Sequence, residues 1–245
     1  MSLTDVLLIA IVTVAFATET AIGFGATLIT LSLGSLLLPT ADLLYAVLPL
    51  NALLSAAILV RARRHVDLRL LGLRVLPWMA LGFPIGVVAF TRVPEGVLKR
   101  ALGVFVLVLA GLELVKKLRA PAAERPLPRA AALGLLFLGG VVHGAFATGG
   151  PPVVYVCGRL VPDKRVFRAT LTALWLLLGL VLIVIHARDG HLGPGSLRRS
   201  AMLAPGLVLG LIAGEIAHGR IPERAFRAVV FAMLAAVGAV LAIRA

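Results

Sequence analysis

The sequence predicts an all-α, polytopic helical membrane protein of two four-segment repeats, with the first segment of each repeat broken. Three observations carry that prediction. Hydrophobic residues make up 60% of the 245 and charged ones only 14%, with a mean hydropathy of +1.06, far from soluble usage. Apolar runs recur that are long enough to cross a hydrocarbon layer, which takes roughly 20 residues. Two of these runs carry similar interruptions 124 residues apart, Glu19-Thr-Ala-Ile-Gly-Phe-Gly-Ala-Thr27 and His143-Gly-Ala-Phe-Ala-Thr-Gly-Gly-Pro-Pro152.

Taken in order, the runs are 3–38, 41–60, 74–91 and 97–115, then 131–158, 168–186, 200–217 and 224–243. Prolines and charges make residues 116–130 an extended polar linker, dividing the chain into an N-terminal transmembrane repeat (1–115) and a C-terminal one (131–245). The stretch Val6 to Phe16, followed by Ala15-Phe-Ala17, imitates a secretory leader. No Lys or Arg precedes it, so it reads as part of the mature fold. Gly82, Gly86, Arg92, Pro94 and Leu98 match Gly210, Gly214, Arg220, Pro222 and Phe226 at an offset of 128. Each Gly-x-x-x-Gly pair lies on one helix face, where missing side chains permit close backbone approach.

Lys and Arg placement bears on topology. If all eight runs cross once, the basic residues split 14 against 10 between the two sides. If the two broken segments dip in and return, the split becomes 17 against 7, a better fit to the positive-inside rule. That arrangement makes the halves inverted repeats. Whether the breaks are re-entrant or merely discontinuous stays open at this level.

Several polar residues fall in or beside the breaks. A carboxylate in an apolar helix is costly and hence a functional candidate, which singles out Glu19. His143 is its counterpart. If the halves face one another, acid and imidazole meet near the midplane and together can carry protons. The alternative is a carboxyl that bonds neighbouring backbone or reaches an interface. Gly23, Gly25, Gly149 and Gly150 expose backbone amides and permit conformations closed to other residues. Amides at half-helix N-termini suit an anionic group. Thr27 and Thr148 add hydroxyls, and Pro151 with Pro152 suits the first positions of a new helix. Asn51 corresponds to Trp175 at the same offset; each is either cavity lining or interhelical glue. A plain kink is the competing reading of both breaks.

Other function classes find less support. The net charge of +13 does not form a basic stripe with interleaved aromatics, which argues against nucleic acid. No His pair has metal-ligand spacing, so neither metal nor cofactor is expected. No nucleophile, base and orienting group cluster as a hydrolase requires, so the chain reads as no enzyme. Cys157, the sole cysteine, reads as a small buried hydrophobe.

Together, Gly23-Phe-Gly25, Thr148-Gly-Gly-Pro-Pro152, Arg63-Arg-His-Val-Asp67 and the twice-used Gly/Arg/Pro pattern resemble the TauE/SafE family of membrane permeases, over nearly the whole chain. The resemblance implies a secondary transporter of a small anion, of sulfite or organosulfonate type, in a bacterial-type plasma (inner) membrane. Its expected partners are that anion, protons and membrane lipid. A non-transport scaffold or subunit, or an anion channel, remains the alternative, and the oligomeric state stays open.

Overall fold

The computed structural model describes residues 2–118, 127–161 and 163–220, with 235, 238–240 and 242–243. Most of the linker and most of the last expected run, including Pro222 and Phe226, lie outside the described residues. Every regular element among the described residues is helical: α1 (Leu3–Ile22), α2 (Ala26–Gly34), α3 (Thr40–Ala62), α4 (Leu68–Leu70), α5 (Leu76–Arg92), α6 (Glu95–Leu118), α7 (Arg129–Phe146), α8 (Gly150–Leu160), α9 (Lys164–Arg188) and α10 (Pro194–Arg220). A 3-10 turn at Arg63–His65 follows α3, and a π turn at Leu71–Val75 joins α4 to α5. Among the described residues, six stretches are long and apolar enough to cross a membrane: Leu3–Ala21, Thr40–His65, Leu68–Arg92, Arg129–Phe146, Lys164–Arg188 and Pro194–Ala217.

Local chemistry explains the helix ends. Ser2 and Asp5 form a capping box at the start of α1, satisfying amides that the first turn leaves unbonded. Asp163 does the same for α9 through Arg165 and Val166 N–H groups. Inside α1, Thr13 and Thr18 donate their hydroxyls to Ile9 and Val14 carbonyls at 2.8 Å, so neither brings an unpaired donor into an apolar helix.

The halves exchange partners. A Cβ at Gly82 or Gly86 of α5 would run into the Phe137 or Val141 carbonyl of α7, while Gly140 and Gly144 of α7 sit as closely on Met79 and Phe83. Contacts that climb together in number mean that α5 and α7 run parallel. The same holds for α1 and α10, where Cβ atoms at Gly206, Gly210 and Gly214 would lie 2.9, 2.7 and 2.6 Å from the carbonyl oxygens of Ile9, Thr13 and Ala17. Glycine at these crossings lets backbones approach where lipid offers no hydrophobic drive for association.

Helices α3 and α9 meet between these two pairs, with Leu43, Leu44, Val47, Leu171, Leu174 and Leu182 fully or almost fully buried. Arg199 donates to Asp42 at 2.8 Å and the Ser200 hydroxyl to the Ala46 carbonyl at 2.7 Å, so α10 and α3 begin on the same side. On that side the Tyr45 ring stacks on His191 and meets His186 edge-on, both at 5.0 Å. The His191 N–H in turn donates to the His186 carbonyl at 2.9 Å. His186, the last residue of the 168–186 run, is fully buried there, and Cys157 is buried as well.

Candidate functional site

The chain leaves α1 through two left-handed glycines. Gly23 (φ 96°) closes α1, its N–H donating to the Glu19 carbonyl at 2.7 Å, and Gly25 (φ 116°) opens α2. Side chains with a Cβ rarely adopt such angles. The second break is built differently. Ala147, which matches Gly23 at offset 124, is the left-handed residue there (φ 50°), with its N–H on the His143 carbonyl. Gly149 and Gly150 have no positive φ, which corrects the expectation that they supply conformational freedom. They supply room instead: a Cβ on Gly149 would meet the Gly139 carbonyl, and one on Gly150 would lie 2.9 Å from the Phe24 ring. Because an alanine in this region costs about 1–2 kcal/mol, Ala147→Gly is expected to raise thermal stability by up to about 1 kcal/mol, read as an upward shift in melting temperature.

That Phe24–Gly150 contact brings the two breaks together. Between them lies a cavity of about 10 Å³, the space of about one water. From the first half it is lined by Glu19, Phe24, Gly25, Thr27 and Asn51, and from the second by Ala147, Thr148, Gly149, Gly150 and Trp175. Gly23, His143 and Pro151 are not among its lining residues; Pro151 with Pro152 occupies the first turn of α8, where a missing N–H costs nothing. Gly23 turns its carbonyl to the Trp175 indole N–H, 3.2 Å away.

Polar groups around the cavity are bonded within each break and across helices. Buried Glu19 accepts the Ala26 N–H at 2.8 Å through Oε2, so the carboxyl caps α2. Asn51 Nδ2 donates to Thr27 Oγ1 at 3.0 Å, while Asn51 Oδ1 has no partner among the described residues. His143 Nδ1 accepts the Gly149 N–H at 3.3 Å, which leaves the proton of a neutral ring on Nε2, buried and without a hydrogen-bond partner among the described residues. Its ring stacks on Trp175 (5.4 Å, 12°) and on Phe83 (6.2 Å, 28°). Acid and imidazole therefore do not bond to one another. Each holds an amide of its own break, and the indole joins them indirectly by stacking on His143 and bonding the Gly23 carbonyl.

The Lys and Arg residues lie outside this lining. Arg168 Cγ comes 3.7 Å from where a Gly23 Cβ would lie, with its guanidinium on Glu215 at 3.3 Å. Among the described residues, no group of three His, Cys, Asp or Glu side chains is placed to hold a metal.

The description "Sulfite exporter TauE/SafE" belongs to a family model that matches residues 7–241. The chain belongs to the TauE/SafE family. TauE/SafE proteins are membrane transporters and not enzymes, and this chain is a multi-pass membrane protein whose family implies a small anionic substrate. No curated protein matches the chain, and no solved structure does.

Sequence reasoning passed over Phe24, Phe83 and Ala147. Phe24 was legible as the residue framed by two glycines. Nothing about an alanine announces a left-handed φ, and Phe83 gains its place only through the crossing of α5 with α7.

Proposed function

We propose that this protein is a secondary transporter moving a small sulfur oxyanion, of sulfite or organosulfonate type, through the cavity between the two breaks, coupled to protons by Glu19 and His143. One observation carries the reading: breaks 124 residues apart in sequence close on a single polar cavity to which both halves contribute. Thr27, Thr148 and Asn51 with the backbone of Gly25, Gly149 and Gly150 form the binding surface. Trp175 forms its wall, with its indole N–H on the Gly23 carbonyl, and Pro151 stiffens the start of α8.

Charge then dictates the coupling. Two like charges 4 Å apart repel by about 4 kcal/mol at an effective dielectric constant near 20. With the Glu19 carboxyl facing the cavity, an anion binds there favourably only when that carboxyl carries a proton. Each anion therefore moves with one.

Topology supports alternating access. Helix α10 begins on the side where α3 begins, so α5, which follows α3, runs the opposite way. Since α1 runs with α10 and α7 with α5, the two broken segments enter from opposite faces, which supports reading 1–115 and 131–245 as inverted repeats on either side of the linker 116–130. Gly139 abuts Val153, consistent with α8 folding back along α7 as a hairpin. The 17-to-7 split of Lys and Arg in that arrangement supports the linker side as the cytoplasmic face of an inner membrane. A cavity with room for one water is too small for such an anion, and rocking of one repeat against the other enlarges it.

The test is flux in proteoliposomes. Sulfite or a simple alkanesulfonate is expected to cross at a rate that rises with an imposed pH gradient. Flux indifferent to the gradient removes the coupling role, and no flux of any such anion removes the transporter reading.

A further inference from the structure

A second, larger cavity lies at the end of α8 away from the breaks. Its volume is about 470 Å³, and Asp67, Arg69, Leu73, Arg74 and Leu160 are among its walls. α8 spans 11 residues, about 16 Å, with Gly150 on the central cavity and Leu160 on this one. The two spaces are thus separate.

The chemistry of these walls is amphipathic. No carboxylate among the described residues is paired with Arg69 or Arg74. The lining also holds one acid, Asp67, whose Oδ1 accepts the Leu70 N–H at 2.8 Å and whose N–H donates to Thr170 Oγ1 at 2.9 Å; against its single negative charge the two guanidinium groups leave the lining net positive. The π turn at Leu71–Val75 helps to gather the two cations. It bonds residue i to i+5 and so brings residues five apart toward one face, whereas in an α-helix they diverge by about 140°. Beside them Leu73, near the start of the membrane-crossing stretch Leu68–Arg92, is 69% exposed, and Leu160, at the end of α8, 45%. A free inorganic anion has no use for those leucines. A phospholipid uses both features, with phosphate on the guanidinium groups and chain along Leu73 and Leu160.

We propose that this cavity binds the phosphate headgroup of an anionic phospholipid of the surrounding leaflet. The site is independent of the transport reading. Thermal melting of the purified full chain in detergent tests it, with phosphatidylglycerol, phosphatidylcholine, glycerol 3-phosphate and inorganic phosphate as probes. Phosphatidylglycerol is expected to raise the melting temperature by about 5 °C, and the other three by about 1 °C or less. The double variant Arg69→Gln/Arg74→Gln is expected to lose that gain while melting normally without lipid, and Arg69→Lys/Arg74→Lys to keep most of it. Should the Gln pair fail to fold, Leu73→Asp puts a negative charge on an exposed position of the same wall and is expected to abolish the gain. An equal gain from phosphatidylcholine or from the free phosphates overturns the proposal, as does no gain at all, or a gain retained by the Gln pair or by Leu73→Asp.

Discussion

Leucine in place of Gly86 is expected to leave almost no correctly folded protein, seen as loss of the monodisperse peak in detergent size-exclusion chromatography. A Cβ there meets the Val141 carbonyl and lies 2.7 Å from the Ala145 N, which are backbone atoms of α7 and not side chains able to swing aside. Overpacking a close-fitted site costs roughly 1–3 kcal/mol where side chains adjust, and more where a whole helix must shift. Gly86→Ala already introduces that Cβ and is expected to cost about 2 kcal/mol or more. Displacing α7 also displaces Ala147 and Gly149, so any residual folded protein should transport poorly. Gly179→Ala is the control: nothing lies within 4 Å of its would-be Cβ, and exchanging a mid-helix glycine for alanine gains up to about 1 kcal/mol. Normal elution of Gly86→Leu would refute the parallel α5–α7 crossing.

The second large effect separates the two jobs of Glu19. In Glu19→Gln an amide oxygen still accepts the Ala26 N–H, so α2 keeps its cap and the melting temperature should stay close to that of the parent. The variant cannot take up a proton, and pH-driven anion flux is expected to fall at least about tenfold, a change of 1.4 kcal/mol in barrier. Glu19→Ala removes both functions. It strands a buried N–H at about 1–3 kcal/mol, and a lower melting temperature should accompany the loss of flux. If Glu19→Gln transports as well as the parent under a pH gradient, Glu19 is a helix cap and nothing more.

Much of this architecture can be read from residue order alone, because a bilayer imposes crude rules. Runs of about 20 apolar residues had to be helices, and glycine with proline inside such runs had to interrupt them. The repeated glycine pairs announced close crossings but not the partners, since every lipid-facing surface is similarly apolar and periodicity loses its discriminating power. Hence nothing in the order of segments linked α1 to α10 or α5 to α7. At the site, Asn51 and Trp175 stood out as polar-tipped side chains in apolar runs, and both line the central cavity. That His143 bonds Gly149 rather than facing Glu19 depends on a ring rotamer and a left-handed alanine, features without a compositional trace.

The crossing of α1 with α10 has a consequence for biogenesis. Helix α1 has as its close neighbour one made some 190 residues later, so it enters the bilayer long before its docking surface exists. Until then Thr13, Ala17 and Thr20 face lipid or the insertion machinery, and α1 completes its packing only once α10 has been made. A truncated N-terminal half made alone lacks that neighbour and should be degraded, while co-synthesis with the C-terminal half should restore it.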